Sequence, residues 1–150
     1  MRTRIQTVVL PAEPSEFADE IRRIFRDLGR SFGLGSLSGE CSPPLDVYET
    51  DQAIEIAMDL PGVDPEAVRI VVKGQSVLVA GEKSARRGRG DSSFHLVERG
   101  FGRFARSVQL TTPCDAARAA ATLQSGELRV RLPKIADRRG RPIQIPISRT

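Results

Sequence analysis

Histidine, cysteine and tryptophan are scarce in this sequence of 150 residues, which has one histidine, two cysteines and no tryptophan. A single histidine excludes the metal motifs that need two. Cys41 and Cys114 stand far apart and outside any CxxC motif, so we expect neither a zinc site nor a disulfide framework. Only a pairing of one cysteine with His95 would offer nucleophilic chemistry, and no motif context accompanies it. We therefore expect a protein that is not an enzyme and that needs no metal or cofactor.

Long apolar runs are absent as well. The sequence has no stretch of about 18 apolar residues, the minimum for a membrane-spanning helix. The apolar run near the N-terminus is short and ends at Pro11, which is unlike a secretory signal. The length suits one domain with appended arms. We expect one globular unit in a cytoplasmic protein.

Charge is unevenly distributed along the chain, whose net charge is +4. Residues 43–82 have two Lys/Arg against eight Asp/Glu, whereas residues 129–150 have seven against one. The acidic and basic parts could attract each other in different copies of the chain, or the basic part could bind an acidic polymer. With one tyrosine and six phenylalanines, base stacking has little support, so we expect no specific nucleic-acid binding.

The first 42 residues differ in pattern from the rest. The segment PSEFADEIRRIFRDLG predicts an amphipathic helix that ends near Gly29, followed by a linker rich in Gly, Ser and Pro. The helix could pack on its own domain, or it could stay tethered and contact other chains. Its apolar stripe, extended by one residue of the linker, consists of Phe17, Ile21, Ile24, Phe25, Leu28 and Phe32.

From Pro43 onward the apolar period changes to two. Eight short alternating runs separated by turn residues predict an all-β fold, an immunoglobulin-like antiparallel β-sandwich, over residues 43–134. The turn residues include Gly81 and the Ser125–Gly126 pair. A ninth strand is expected at residues 143–147, beyond the sandwich. The eight runs are LDVYET, AIEIAMDL, AVRIVVKG, SVLVAGE, SFHLVE, GRFARSVQL, RAAATL and ELRVRLP.

Three motifs occur in order along the sandwich region, and a fourth lies in the tail. They are DLPGVDPEAV at residues 59–68, ERGFGRFARSVQL at 98–110, ATLQSGELRVRLPK at 121–134, and Ile143-Gln144-Ile145. In this succession the chain resembles the small heat-shock proteins, the α-crystallin-domain chaperones, in their bacterial form. The resemblance implies an N-terminal arm at residues 1–42, an α-crystallin domain at 43–134 and an extended C-terminal tail at 135–150.

The resemblance implies that the tail docks in an apolar groove, usually on another dimer, and so links dimers into a larger homo-oligomer. Burying two isoleucine side chains would contribute about 3–6 kcal/mol before the cost of ordering the tail. The sequence leaves open which alternate residues face the groove. The docking residues are Ile143, Ile145 and Ile147, and the candidate groove residues are Val68, Ile70, Val72, Ala119, Ala121 and Leu123.

The resemblance also implies an exchanged strand after the basic loop. In bacterial relatives a corresponding strand pairs with the sheet edge of a second subunit, and an intrachain hairpin is the alternative. Arg106, expected to point outward, would be either a subunit contact or a solvated side chain. The strand residues are Phe94, His95, Leu96, Val97 and Glu98.

The function expected from the resemblance is that of an ATP-independent holdase, which binds partly unfolded proteins and prevents their aggregation. Client proteins would bind the apolar stripe of the arm, which could in principle also contact a membrane surface, although nothing in the sequence supports that contact. Two alternatives share parts of this pattern. One is a β-sandwich adaptor that recruits a particular partner, and the other is a non-specific nucleic-acid-binding protein.

Overall fold

The computed structural model describes residues 11–12, 14–32, 41–84, 90–135, 142 and 144–149, with the side chains of residues 11, 12, 14 and 30–32 left out. In these ranges the chain forms one α-helix and eight strands. The helix α1 spans Ala18–Phe32. The strands are β1 Pro11–Ala12, β2 Leu45–Glu49, β3 Ala53–Asp59, β4 Val68–Lys73, β5 Ser76–Lys83, β6 Gly102–Gln109, β7 Ala120–Gln124 and β8 Glu127–Pro133.

The strands form two antiparallel sheets of four strands each. Sheet A has the order β1-β6-β5-β4, and sheet B has the order β2-β3-β8-β7. Neighbouring strands pair in continuous register, as in the match of Ile56 to Val130 between β3 and β8. The expected β-sandwich fold is confirmed, with a helical segment before it.

Alternation of apolar residues explains why the two sheets stack. In β3 and β8 the side chains on one face are almost fully buried, and those on the other face, apart from buried Ala53, are charged or half-buried. Burial of each large aliphatic side chain stabilises the fold by about 1.5–3 kcal/mol. The shared core consists of Ile54, Ile56, Met58, Leu60, Val68, Val77, Val79, Phe104, Val108, Leu110, Leu128, Val130 and Leu132.

The predicted tight hairpin between β7 and β8 is present. Ser125 and Gly126 both have positive φ, at 53° and 78°, the combination that a two-residue hairpin of matching twist requires. A Cβ at Gly126 would lie 3.1 Å from the Cα of Pro61, so the turn also packs closely on the Asp59–Gly62 loop. The Leu60 amide donates to the Gly126 carbonyl at 2.7 Å and holds the two together.

Two local predictions were wrong. Gly81 is not a turn residue but lies inside β5, because the close approach of Ala67 requires a glycine there. The helix does not end at Gly29 but continues to Phe32, since a glycine alone does not end a helix that has packing on one side. The run at residues 93–98 and the tail residues 144–147 form no strand within the single chain, so their expected pairing with other chains stays a prediction.

The arm is packed against its own domain rather than tethered away from it. Phe17 and Leu28 are 0% exposed and Ile24 is 7% exposed. They contact the outer face of sheet A, where Leu78 and Ala80 are also buried. Of the two arrangements that the sequence left open, the structure has the first.

Candidate functional site

The candidate groove residues lie at the edges of the two sheets. They are on β4, the last described strand of sheet A, and on or just before β7, the last described strand of sheet B. The pairing of Ile70 with buried Val79 and of Leu123 with buried Leu128 shows that these side chains face the core side of each sheet. The candidate groove residues therefore lie on the inner faces of the two sheets.

The groove residues are only partly covered because no described strand follows β4 or β7 in its sheet. Five of the six candidate residues, Val68, Ile70, Val72, Ala119 and Leu123, pack against the core. Val68 is buried and the other four are half-buried. The sixth candidate, Ala121, is exposed. Such an apolar trough between two sheet edges can accept aliphatic side chains from an extended segment.

The tail is not in this groove within the single chain. Ile145 is 82% exposed and Ile147 is 96% exposed. Ile143 lies outside the described residues. Two large aliphatic side chains in water, in a chain whose groove residues are incompletely covered, are the features that intermolecular docking would satisfy.

The segment after the basic loop exposes its apolar side chains. Phe94, Leu96 and Val97 are 60%, 73% and 62% exposed. Residues 94–98 pair with no described strand of their own chain, so the intrachain hairpin is not what this structure has. A cavity of about 250 Å³ lies beside the segment and is lined by residues that include Pro61, Lys83 and Phe101.

Arg106 points inward, contrary to the expected outward orientation. It follows Phe104 and precedes Val108 in the alternation of β6, and both of those side chains are buried in the core. Its Nη1 donates to the carbonyl of Pro43 at 2.7 Å. This hydrogen bond ties the segment before β2 across to sheet A.

The described part of the arm packs on sheet A through its apolar stripe. The stripe residues Phe17, Ile24 and Leu28 are buried, while Ile21 and Phe25 are half-buried against the same cluster. The side chain of Phe32 is not described. The stripe therefore faces β5 and is covered, not free, in this structure.

A buried carboxylate lies under the arm. Glu82 is 2% exposed, and its Oε2 has no hydrogen-bond partner among the described residues. The Nε of Arg103 lies 3.6 Å from that oxygen. The same guanidinium stands over the ring of Phe25, 5.1 Å from its centroid. A buried carboxylate with one distant cationic partner is a costly group to keep away from water.

Polar contacts also close the other end of the sandwich. Glu49 at the end of β2 accepts a hydrogen bond from Thr112 at 2.9 Å. It also lies 2.7 Å from Nζ of Lys134. The contacts with Lys134 and then Thr112 lower the pKa of the Glu49 carboxyl, because both favour its charged form.

The cysteine and histidine residues do not form a reactive site in the described part of the chain. Burial raises the pKa of the Cys114 thiol, which donates to the carbonyl of Thr112 at 3.4 Å, and a raised pKa disfavours the nucleophilic thiolate. His95 is exposed on the segment after the basic loop. Among the described residues no three metal-ligating side chains cluster, and no described helix is long and apolar enough to cross a membrane.

The outer face of sheet A is a covered apolar surface that the sequence reasoning missed. It is formed by Val71, Leu78, Ala80 and Ala105. The signal in the sequence was the run VLVA, which lies in β5. In the structure the β5 residues Ser76–Glu82 are all buried. A strand that is apolar at successive positions is covered on both faces, so the run VLVA required a second cover besides sheet B.

Comparison with known proteins gives a consistent family match. A model of the Hsp20/alpha crystallin family matches residues 46–148. Spore protein SP21 of Stigmatella aurantiaca is 32% identical over 108 residues, which cover 72% of this chain and 64% of that protein. Small heat shock protein C4 of Rickettsia felis is 26% identical over 104 residues, covering 69% of this chain and 64% of that protein. The chain thus spans somewhat less than two thirds of these relatives.

Solved structures of similar proteins share the sandwich. Heat shock protein 16.0 of Schizosaccharomyces pombe is 31% identical, with a TM-score of 0.62, over 73% of this chain and 100% of that one. A small heat-shock protein of Xylella fastidiosa, which has a distinct high order structure, is 26% identical, with a TM-score of 0.64, over 73% of this chain and 98% of that one. Both agree with the two-sheet topology described above.

Proposed function

The chain belongs to the Hsp20/alpha crystallin family, and we propose that it is an ATP-independent holdase, which binds partly unfolded client proteins and prevents their aggregation. The family match over residues 46–148 supports a chaperone role. Members of this family are small heat-shock chaperones and not enzymes. We further propose that the chain acts in the cytoplasm, as the sequence led us to expect.

The observation that carries this proposal is the pair of apolar surfaces between α1 and sheet A. Phe17, Leu28 and Leu78 are fully buried where the two surfaces meet. Burying the three large stripe side chains of the arm would contribute about 5–9 kcal/mol, and ordering the arm offsets part of that. The stripe is therefore stored in the resting chain and can be released for clients at a modest cost.

We include assembly in the proposal. The exposed segment at residues 94–98 would add to the β2 edge of a second chain and form a dimer. Ile143 and Ile145 would then enter the groove between β4 and β7 of another dimer. The basic tail region and the acidic residues 43–82 favour the same contacts through their opposite charges.

The test is aggregation of a heat-labile enzyme in the absence of nucleotide. With equimolar chain present, light scattering on warming should stay near the baseline. Size-exclusion chromatography should then recover enzyme and chain together in one soluble peak. An unrelated β-sandwich protein at the same concentration is the control. Full aggregation across a range of temperatures would contradict the holdase and leave the adaptor as the better interpretation.

A further inference from the structure

We propose that the outer face of sheet A is a binding site for amphipathic helices of client proteins, and that α1 occupies it in the resting chain as a competing ligand of the same kind. This inference deepens the proposed holdase and rests on it. A helix is seated on the face in the structure, which indicates the kind of ligand that the face accepts. The site is formed by Val71, Leu78, Ala80 and Ala105, with Lys73 and Arg103 at its rim.

The apolar part of the recognition follows from the spacing along α1 and the segment before it. Phe17, Ile24 and Leu28 are all less than 10% exposed, and they lie on one stripe of the helix at intervals of seven and four residues. Beneath them the sheet presents small side chains, including Ala80 and Ala105, which form a shallow bed for a helix. A client helix with large apolar residues at the same spacing would fit this bed.

Charge at the rim sets the direction of the bound helix. Nζ of Lys73 lies 3.4 Å from Oε1 of Glu20 and 3.4 Å from the carbonyl oxygen of Glu16. At the other end, Arg103 stands over the ring of Phe25. The helix thus runs along β5 with its acidic first turn beside a lysine. The site therefore selects amphipathic helices that have acidic residues in the first turn.

Glu82 explains why the resident helix can be displaced. The carboxylate is buried under α1 and its Oε2 lacks a hydrogen bond among the described residues. Departure of α1 would return this group to water, so part of the apolar gain from docking is lost to its desolvation. A face covered by a fully apolar interface would hold its helix too tightly to exchange it for a client.

The first test uses the full chain with its own helix weakened. In the double variant Ile24→Ser/Leu28→Ser, α1 should leave the outer face of sheet A. Binding of a labelled peptide of residues 14–29 to that face is then measured by fluorescence anisotropy. This variant should bind the peptide at least about tenfold more tightly than the unmodified chain, whose tethered helix competes at an effective concentration near millimolar. The matched control, Arg23→Ser/Asp27→Ser on the exposed side of α1, should bind it no better than the unmodified chain.

Specificity of the peptide decides whether the face recognises the stripe. A peptide with Phe17, Ile24 and Leu28 replaced by serine should not bind the opened variant. Equal binding of the two peptides would overturn the proposal. So would equal affinity of the opened variant and the unmodified chain for the natural peptide.

A second variant needs no core substitution. Lys73 is exposed at the rim, so Lys73→Glu should leave the sandwich folded while loosening α1. A peptide with Glu20→Lys should bind this variant about two- to fivefold more tightly than the unmodified chain, the range expected for an exposed ion pair. Equal affinity for the two chains would overturn the proposed class of ligand.

The holdase and the helix site fail in different measurements. Peptide binding as described, with no suppression of enzyme aggregation, would contradict the holdase alone. Suppression of aggregation by a chain that never binds the peptide would contradict the helix site alone.

Discussion

Gly81 shows how a single residue can be misjudged from its type. Glycine commonly marks a turn, yet this one lies in the middle of β5. A Cβ there would lie 2.3 Å from the carbonyl oxygen of Ala67 and 2.9 Å from Cζ of Phe104. These segments come together only when the sheet forms, so no local pattern could have revealed the contact.

Replacing Gly81 by alanine should therefore destabilise the domain. The backbone of Ala67 cannot move away without disturbing β4, and we expect a loss of about 1–3 kcal/mol or more. Urea unfolding followed by circular dichroism measures this loss. A midpoint equal to that of the unmodified chain would show that the contact relaxes freely.

Gly29→Ala is the matched control, and it should change the stability in the opposite direction. Gly29 lies within α1, and a Cβ there meets no atom within 4 Å. Alanine in a helix is favoured over glycine by about 0.5–1 kcal/mol. The same urea experiment should show a small rise in stability or in helix content.

Glu49 gives the chain an acid-sensitive contact. Its pKa is lowered by Lys134 and Thr112, so its folded value lies below its unfolded value. The resulting stability is complete above the unfolded pKa and is lost as the pH falls through the folded pKa. Since the side chain of Glu49 is 44% exposed, the contribution is about 1 kcal/mol or less.

The change that tests this contact is Glu49→Gln. The variant should melt at a lower temperature than the unmodified chain at pH 7, and the difference should shrink as the pH falls below about 4, where unperturbed carboxyl groups titrate. Asp46→Asn, an exposed carboxylate on the same strand, is the control. A difference in melting temperature that stays constant down to about pH 3 would contradict the link between the charge of Glu49 and the stability of the fold.

At the scale of elements, the sequence patterns predicted which segments form helices and strands, but not always what those elements pack against. Seven of the eight alternating runs became strands, since alternation and turn residues act locally. The run at residues 93–98 alternates in the same way and yet is no strand in the single chain. A strand needs a partner edge as well as a pattern, and the pattern does not say which chain supplies it.

The segment at residues 94–98 is expected to form the dimer. Val97→Pro should remove a ladder hydrogen bond and block strand addition, while the isolated domain keeps its fold because Val97 is 62% exposed. Mass measurement by multi-angle light scattering should then show monomers. The control, Ser92→Pro before the segment, should remain dimeric or larger, and an unchanged mass for Val97→Pro would contradict the exchange.

The tail is expected to link dimers. Ile143→Ser/Ile145→Ser removes two side chains worth about 3–6 kcal/mol when buried, so the assembly should shrink toward dimers in light scattering. Gln144→Ser, on the opposite phase of the same segment, should leave the mass unchanged. Equal masses for the double variant and the unmodified chain would refute docking of the tail.

At the scale of the whole molecule, the arm and the sandwich form one unit that stores apolar surface. The helix was predictable from its stripe, and the sandwich from its alternation, but the contact between them was left open. The stripe of the arm and the outer face of sheet A are each apolar in their own sequence segment, and nothing in either segment names the other as its partner. The stripe would fit another chain equally well. Only the run VLVA in β5, whose residues are all buried, indicated that the outer face of sheet A is covered by another element. Which element covers it depends on the order of the strands in the sheet.

Under the proposed function, this arrangement would let a small chain offer clients a surface that it does not expose at rest. Ala80, at 0% exposure, lies under α1, so its accessibility reports directly on the docked helix. Warming should favour release, because ordering the arm costs entropy.

The release of stored apolar surface is tested most directly by the rate at which a thiol reagent labels Ala80→Cys in a chain with Cys41 and Cys114 replaced by alanine. We expect slow labelling at rest and faster labelling on warming, while the circular dichroism of the sandwich is unchanged. A heat-unfolded enzyme should slow the labelling again by covering the face. Labelling that rises only with global unfolding, or that ignores the unfolded enzyme, would contradict the storage of a client-binding surface under α1.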